Sequence, residues 1–258
     1  MSDVRQLLPS PHGEVDPYHA YDDLPPSAVR LNLVMTVDGS VGDHEQWTDS
    51  LGGAADFHVF RSLRALADGI MVGASTVRTG RVGPHRPTKI LAARRVERGL
   101  PATAPIIVVS QSLQLDWSHR LFTEAVVPTV VVTSAAARRS VQTSDSVRIV
   151  TAGEDTIDLR SAVRHLQDDL GLRHLLCEGG PTLATAMLEE QLIDEFCLSL
   201  APSLIGGQHH LQLLGNLRKR IDLQLAALYE ADNTIFARYR LHWPHARDHR
   251  AASATDLR

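Results

Sequence analysis

HLLCEGGPTLATAMLEE, residues 174–190, is the stretch that decides the fold class of this chain. An apolar run ending at Cys177 predicts a buried β-strand, and the residues from Pro181 predict a helix that ends near Gln191. Proline suits the first turn of a helix, and paired glycines let the backbone approach a ligand closely. The free N–H groups at such a helix start favour an anionic group such as a diphosphate. The alternative is that the glycines serve the geometry of the turn alone.

A second strand-to-helix turn lies earlier in the chain, in residues 67–77, ADGIMVGASTV. It predicts a short buried strand that ends at Gly73 and a helix capped by Ser75 or Thr76. Turns at the carboxyl ends of two parallel strands flank one crevice, where open α/β sheets bind ligands. The fingerprint G-x-G-x-x-G and the Walker A motif are both absent from the sequence, so a nucleotide site here belongs to another lineage.

The rest of the chain continues the alternation of strands and helices. Strands are predicted at residues 29–37, 69–73, 105–110, 128–133, 147–150, 173–177 and 194–200. Helices are predicted at residues 54–67, 135–142, 158–170 and 181–191, with an irregular loop at 80–101 and a closing hairpin at 221–231 and 234–242. The sequence therefore predicts an α/β fold of three layers. It contains a mixed, mostly parallel sheet with helices on both faces and a C-terminal antiparallel hairpin.

The composition is that of an ordinary globular protein. Of the 258 residues, 43% are apolar and 22% are charged, which is enough for a sizeable core. We expect a single domain over residues 29–243. An irregular N-terminal arm at residues 1–28 precedes it, and a polar, disordered tail at residues 244–258 follows it.

Charge and hydropathy argue against several classes of partner. The net charge is −4, so no positive field attracts nucleic acid or an anionic membrane surface. No apolar stretch approaches the roughly 20 residues that a membrane span needs, and the N-terminus lacks a signal-peptide pattern. Cys177 and Cys197 lie in apolar runs and are expected to be buried thiols, which fits a cytoplasmic protein. His242, His245 and His249 are spaced like metal ligands but lie at the polar chain end, so no metal site is expected.

One carboxylate is predicted to lie on the buried face of a helix. At 100° per residue, Asp56 shares an arc with Phe60, Leu63 and Ala67. Burial there should raise its pKa, so that it can act as an acid or bind a pair of N–H groups. The alternative is that Asp56 only stabilises the first helical turn. Arg64 lies at the margin of the arc and is either a phosphate ligand or a solvated surface residue.

Three segments together carry a resemblance to a known family. They are LNLVMTVDGSVG at residues 31–42, ADGIMVGASTV at 67–77 and HLLCEGGPTLATAMLEEQLIDEFCLSLAPSLIGG at 174–207. In this arrangement they resemble the pyrimidine reductase of riboflavin biosynthesis, in particular the stand-alone actinobacterial reductases of the dihydrofolate-reductase-like superfamily. The resemblance covers roughly residues 14–242. It implies the fold of that superfamily, a homodimer, and an oxidoreductase that uses NADPH to reduce a ribosylamino-pyrimidine 5′-phosphate to the ribitylamino product.

The resemblance also implies roles for individual residues. It implies NADPH contacts at Trp47, Gly73, Thr76, Ser110, Gly179, Gly180, Pro181, Thr182 and Leu183. It implies substrate contacts at Asp38, Glu45, Arg64 and Glu178, with Arg64 holding the phosphate. Glu178 or Asp56 is expected to be the catalytic carboxylate that fixes the pyrimidine and assists proton movement, while the enzyme holds hydride donor and acceptor within reach.

A departure from the family leaves the exact substrate open. After Thr76 the bacterial riboflavin enzymes have Asp-x-Pro-x-Leu-Thr-x-Arg, whereas this chain has TGRVGPHRP at residues 79–87. Gly80 thus replaces the acid, and the phosphate-binding arginine is displaced to Arg81 or Arg86. The deaminase half of the bifunctional enzymes is missing, because the P-C-x-x-C of its zinc site does not occur.

Two other functions remain open. Asp56, four residues before Phe60, resembles the acid that grips the pterin ring in dihydrofolate reductases, so dihydrofolate or another pterin is an alternative substrate. A non-catalytic nucleotide-binding protein that retains the fold is an alternative of another class. Oxidation of NADPH on addition of the right heterocycle distinguishes an enzyme from such a protein.

Overall fold

The computed structural model describes residues 3–42, 51–79, 81–139, 145–206 and 212–243. Within these ranges, eleven strands form one sheet, in the spatial order β2-β1-β10-β11-β9-β3-β8-β4-β5-β6-β7. In chain order the strands are β1 (Arg5–Leu8), β2 (His12–Glu14), β3 (Ala28–Thr36), β4 (Gly69–Gly73), β5 (Ile106–Val109), β6 (Thr129–Thr133), β7 (Val147–Thr151), β8 (His174–Cys177), β9 (Glu195–Ala201), β10 (Gln224–Ala231) and β11 (Thr234–Arg240).

The sheet is mixed, as the alternation of strands and helices predicts. From β9 to β7 each strand runs parallel to its neighbours. From β9 to β2 the pairing is antiparallel. The closing hairpin is confirmed as β10 and β11, and its turn residues Asp232 and Asn233 have φ angles of 50° and 63°. Two left-handed residues match the right-handed twist of the flanking strands.

Helices cover both faces of the sheet. They are α1 (Pro17–Ala20), α2 (Gly53–Leu66), α3 (Ala74–Arg78), α4 (Lys89–Glu97), α5 (Arg120–Thr123), α6 (Ala135–Arg138), α7 (Leu159–Arg164, continued by a π-helical turn at His165–Asp169) and α8 (Pro181–Glu189). One apolar cluster includes Val59 and Leu63 of α2, and the other includes Ala184 and Met187 of α8. The predicted three-layer α/β fold is therefore confirmed. In the part of the chain that the structure describes, no helix is both long and apolar enough to cross a bilayer.

The prediction of an irregular arm at residues 1–28 is wrong. β1 pairs antiparallel with β10, so the N-terminal segment extends the sheet. Strands of three and four residues are too short to show the alternation on which the sequence prediction depends. Buried arginines hold the segment that follows: Arg238 donates to the Ala20 carbonyl at 2.6 Å, and Arg30 donates to the Tyr21 carbonyl at 2.9 Å. The tail at residues 244–258 lies outside the described residues.

The prediction of an irregular loop at residues 80–101 is also wrong, because α4 lies within it. Thr88 caps this helix by accepting a hydrogen bond from the Leu91 N–H at 3.3 Å. Arg95 of α4 is fully buried at 0% exposure, and it donates to the carbonyls of Ala65 and Ala67 at 3.0 and 2.5 Å. These carbonyls end α2, where no intrahelical donor is available. The segment thus fixes the end of α2.

The central strand of the sheet is less buried toward its carboxyl end. β3 lies between β9 and β8. Residues 28–31 of β3 are buried, whereas residues 32–35 are only half-buried, on both faces alternately. Half-buried side chains near the carboxyl end of a central parallel strand indicate a crevice at that edge of the sheet.

Candidate active site

The two glycine turns predicted from the sequence lie side by side at this edge. β4 and β8 are neighbours in the sheet, and the Gly73 N–H donates to the Gly179 carbonyl at 2.7 Å. The Gly180 N–H donates to the Thr76 hydroxyl at 3.0 Å. The hydroxyl of Thr76 is thus used by the opposite turn. Gly73 caps α3 without a side-chain hydrogen bond, so the prediction of a Ser75 or Thr76 cap is wrong.

Glycine is required in these turns by their close approach. Gly179 has a φ of +80°, in the left-handed region that favours glycine. A Cβ atom on Gly180 would lie 3.1 Å from the Thr76 hydroxyl oxygen, whereas the φ of Gly180 itself is −65°. The two turns therefore need glycines for their own packing. The geometry of the turns is therefore sufficient to explain both glycines, and their role in ligand binding is a proposal.

The start of α8 suits an anionic ligand. Pro181 occupies the first helical position, and Thr182 beside it is exposed, whereas Leu183 packs into the core. The first intrahelical bond of α8 runs from the Ala184 N–H to the Gly180 carbonyl. The N–H groups of Thr182 and Leu183 precede it and so have no partner within the helix. Such a helix start fits the diphosphate of a nicotinamide dinucleotide.

Arg64 and Glu178 form an ion pair next to the turns. The Nε and Nη2 atoms of Arg64 donate to the two carboxylate oxygens of Glu178 at 2.6 and 2.7 Å. The side chains are 20% and 10% exposed. The guanidinium also lies 4.3 Å from the centre of the Phe60 ring. The structure thus joins two predicted site residues, and it rejects the alternative of Arg64 as a solvated surface residue.

Asp56 is half-buried and lies at the margin of the buried face of α2, which includes Ala55 and Val59. Burial raises the pKa of Asp56, and the neighbouring Ser199 hydroxyl of β9 opposes that rise. A Cβ atom on Gly52 would fall 2.1 Å from an Asp56 carboxylate oxygen, so the carboxyl group folds back over the helix start. Both interpretations of Asp56, as a buried acid and as part of the first helical turn, are compatible with this placement.

Asp38 anchors a loop in this structure. Its carboxylate accepts from the Thr36 hydroxyl at 2.5 Å and from the N–H groups of Gly206 and Ile205 at 2.7 and 3.2 Å. The Thr36 hydroxyl first, and then these backbone donors, lower the pKa of Asp38 to about 2. Asp38 thus connects the end of β3 to the segment after β9. The geometry favours a positioning role over the predicted substrate contact.

Ser110, a predicted cofactor contact, is a buried residue whose hydroxyl holds a turn. Ser110 follows β5 and is 1% exposed, and its hydroxyl accepts from the Leu113 N–H at 3.1 Å. It therefore shapes the turn beside the glycine pair, and a direct contact to the cofactor stays a prediction. Glu45 and Trp47 lie outside the described residues.

A cavity of about 270 Å³ opens beside the Arg64–Glu178 pair. Five arginines line it: Arg61, Arg64, Arg81, Arg86 and Arg120. Glu178 pairs with Arg64, and Glu124 pairs with Arg86 at 2.7 Å. No acidic side chain is among the described residues that line the cavity, so this lining is positively charged. We call this space the arginine cavity.

Sequence reasoning found only part of the arginine cavity. It named Arg81 and Arg86 as alternatives, and the structure brings both to the same cavity as Arg64. It missed Arg61 and Arg120. Arg61 lies next to α2 residues already singled out, but Arg120 comes from α5, and no local pattern indicates that it folds over this site. In the ranges that the structure describes, no three His, Cys, Asp or Glu side chains gather as a metal site would require.

Comparisons with known proteins identify the family of this chain. A family model described as the RibD C-terminal domain matches residues 27–237. The 2,5-diamino-6-ribosylamino-4(3H)-pyrimidinone 5′-phosphate reductase of Methanothermobacter thermautotrophicus is 28% identical over 218 residues, covering 82% of this chain and 96% of that protein. The chloroplastic riboflavin biosynthesis protein PYRR of Arabidopsis thaliana is 31% identical over 202 residues, covering 72% of this chain and 30% of that protein.

Solved structures show the same fold. A pyrimidine reductase-like protein from Corynebacterium diphtheriae superposes with a TM-score of 0.75 at 24% identity, covering 89% of this chain and all (100%) of that one. RibD of Acinetobacter baumannii superposes with a TM-score of 0.68 at 19% identity, covering 84% of this chain and 58% of that one. The chain therefore belongs to the family of the RibD C-terminal domain, and it is an oxidoreductase with the dihydrofolate-reductase-like fold that takes a nicotinamide cofactor.

Proposed function

We propose that this protein is an NADPH-dependent reductase of a ribosylamino-pyrimidine 5′-phosphate, such as 5-amino-6-(5-phosphoribosylamino)uracil. The observation that carries the proposal is the arginine cavity, which adjoins the paired glycine turns through the Arg64–Glu178 ion pair. A relative of similar length is named for the reduction of a ribosylamino-pyrimidinone 5′-phosphate. The cavity accounts for the phosphate, and the turns account for the cofactor.

The substrate phosphate is assigned to the arginine cavity. Guanidinium groups match the planar arrangement of phosphate oxygens and donate two hydrogen bonds at once. Arg81 and Arg86 lie there with Arg64, which supports the displacement of the phosphate ligand into the segment TGRVGPHRP. A neutral substrate would gain no charge–charge attraction from a cavity that five arginines line.

The rest of the substrate is assigned to the inner face of α2. Asp56, Phe60 and Arg64 are spaced four residues apart and therefore share one side of the helix. Eight residues of α-helix span about 12 Å, which suits a phosphate held near Arg64 and a heterocycle near Asp56. In this arrangement the raised pKa of Asp56 suits proton exchange with the heterocycle, and Glu178 orients Arg64.

The cofactor is assigned to the paired turns. When bound, the nicotinamide cofactor supplies the hydride. The start of α8, with Gly180, Thr182 and Leu183, would hold its diphosphate, and Gly73 and Thr76 would close the other side. For the 2′-phosphate of NADPH we assign Arg78 at the end of α3, because Arg81 and Arg86 belong to the arginine cavity. The Arg78 side chain is exposed and extends toward the Gln114 carbonyl, beyond the turn that Ser110 shapes.

A pterin reductase is the second candidate, and one observation favours it. Asp56 is half-buried and lies on the same side of α2 as Phe60, an arrangement suited to gripping a flat heterocycle. A panel of NADPH oxidation assays decides between the candidates. We expect turnover with the ribosylamino-pyrimidine 5′-phosphate and none with dihydrofolate. Turnover of dihydrofolate alone would contradict the proposal, and turnover of neither would favour a non-catalytic nucleotide-binding protein. The homodimer implied by the resemblance also stays a proposal, which light scattering of the purified chain tests.

A further inference from the structure

His85 is the one histidine that lines the arginine cavity in the described part of the chain, and it is 4% exposed. Its Nδ1 atom accepts a hydrogen bond from the Ala104 N–H at 3.1 Å. A backbone N–H can only donate, so Nδ1 carries no proton in this arrangement. The single proton of the neutral ring is therefore on Nε2.

The Nε2 atom is available to a ligand. Nε2 forms no hydrogen bond with a residue that the structure describes. It is not fully enclosed by protein either, because it is absent from the enclosed side-chain atoms that lack a hydrogen-bond partner. His85 lines the cavity and Nδ1 is occupied by Ala104, which leaves Nε2 as the ring nitrogen that can meet a ligand there. A buried donor without a protein partner is costly unless a ligand or water accepts its hydrogen bond.

The surroundings keep His85 neutral. Burial lowers its pKa to about 3, and the positive charges of Arg64 and Arg95 add to the effect. The charged groups around it are these two residues from α2 and α4, together with the remaining cavity arginines Arg61, Arg81, Arg86 and Arg120. A second proton on the ring would also remove the acceptor that the Ala104 N–H uses.

We propose that His85 is a specificity-determining residue that donates its Nε2 proton to an oxygen of the substrate phosphate as a neutral ligand. The inference rests on the proposed function, because it requires that the arginine cavity hold the substrate phosphate. A neutral donor contacts the anion without adding to the repulsion among the arginines. Because the arginines give the cavity a positive charge, the cavity binds the phosphate rather than the heterocycle, and the phosphate is therefore the group that His85 contacts.

Two variants separate the two ring nitrogens. In His85→Asn the amide oxygen takes the place of Nδ1 and keeps an acceptor for Ala104, but the Nε2 donor is lost. In His85→Gln the amide nitrogen reaches the place of Nε2, but the acceptor for Ala104 is lost. The probe is ribose 5-phosphate, which carries the phosphate without the heterocycle, and its binding to the full chain is measured by calorimetry, with NADPH binding and the melting temperature as controls.

We expect His85→Asn to weaken ribose 5-phosphate binding by about tenfold or more, which is typical for a hydrogen bond to a charged group, while NADPH binding and melting temperature stay near the parent values. We expect His85→Gln to melt at a lower temperature but to keep most of the affinity. Unchanged affinity in a folded Asn variant overturns the inference. An equal loss in both variants also overturns it, because ring shape rather than the donor would then matter.

A second measurement does not depend on catalysis. Nitrogen NMR of the protein labelled at histidine should show His85 protonated at Nε2 and not titrating between about pH 5.5 and 8, and ribose 5-phosphate should shift that Nε2 signal. A proton on Nδ1, or an Nε2 signal insensitive to the probe, overturns the inference. If these results hold but no ribosylamino-pyrimidine is reduced, the proposed function fails and the phosphate contact of His85 stands.

Discussion

The guanidinium of Arg64 on α2 holds the carboxylate of Glu178 at the end of β8 through two hydrogen bonds, of 2.6 and 2.7 Å. The pair joins the helix that borders the arginine cavity to the glycine turn that begins α8. Two parallel hydrogen bonds fix orientation as well as distance. Both residues therefore set the relation between the proposed substrate and cofactor sites.

Arg64→Lys tests this relation, because lysine keeps the charge but loses the planar fork. We expect kcat/KM for the ribosylamino-pyrimidine 5′-phosphate to fall by about 10- to 150-fold, the range for a charged hydrogen bond of about 1.5–3 kcal/mol. Arg139→Lys is the matched control, since Arg139 pairs with Glu154 at the surface and both side chains are about two-thirds exposed. Similar losses in both variants would show that the Arg64 fork has no special role.

Asp56→Asn distinguishes the two roles of this carboxylate. If Asp56 grips the heterocycle, the variant loses a charged hydrogen bond, and kcat/KM should fall by about 10- to 150-fold with cofactor binding intact. A role confined to the helix start predicts a stability loss of about 0.3–1 kcal/mol and nearly full activity. Steady-state kinetics and a melting curve on the same variant decide, and full activity would remove Asp56 from the catalytic site.

The pH dependence of stability supplies an independent check on Asp56. Its pKa is raised from the ordinary value of 3.8, chiefly by burial, so the folded state holds the proton more tightly than the unfolded state. This contribution to stability is fully present below pH 3.8 and is lost as the pH rises through the folded-state value. The Asn variant has no carboxyl group at this position, so it does not lose this contribution to stability as the pH rises. We expect it to gain melting temperature relative to the parent at neutral pH and not at low pH, and a gain that is the same at both would contradict burial as the cause.

Gly180→Ala tests the packing of the two turns. The new Cβ atom would lie 3.1 Å from the Thr76 hydroxyl oxygen, so the turns must separate or the Gly180–Thr76 hydrogen bond must lengthen. We expect weaker NADPH binding, by tenfold or more if one hydrogen bond to the diphosphate is lost. The control is Gly13→Ala, because a Cβ atom at Gly13 meets nothing within 4 Å. NADPH binding equal to the parent in a folded Gly180→Ala variant would place the cofactor elsewhere.

Arg78→Gln tests the choice between NADPH and NADH. Arg78 is exposed at the end of α3, and its assigned partner is the 2′-phosphate that NADH lacks. We expect the KM for NADPH to rise about 10- to 150-fold and the KM for NADH to stay unchanged. Arg148→Gln, on the exposed side of β7, is the control. Parent enzyme that binds both cofactors equally would refute the assignment.

Arg95→Met tests how the arginine cavity is supported. Arg95 is 0% exposed and donates to the Ala65, Ala67 and Pro101 carbonyls. Methionine fills similar space but leaves these buried carbonyls unpaired, at about 1–3 kcal/mol for each group. We expect a loss of several kcal/mol in the free energy of unfolding, measured by urea denaturation. A loss below about 0.5 kcal/mol, the size typical of a surface substitution, would show that α2 ends without Arg95.

The sequence by itself determined the sheet core and the two glycine turns. β4 and β8 are short apolar runs bounded by glycine, and α8 begins at a proline, so local pattern and composition suffice for them. The periodicity of α2 is local as well and placed Asp56 near the buried face, although the structure leaves it half-buried at the margin of that face. The family resemblance rests on the same local segments, and the match of the RibD C-terminal domain over residues 27–237 confirms it.

Only the tertiary structure decided how the site is assembled. Arg64 and Glu178 are 114 residues apart in the chain. The sequence predicted each as a separate ligand, whereas the structure pairs them with each other. Arg120 and His85 reach the arginine cavity from segments without periodic signal, and Thr76 gives its hydroxyl to Gly180 rather than to its own helix. A partner distant in the chain leaves no trace in local spacing, because hydrogen bonds and charge pairs depend on distance in space.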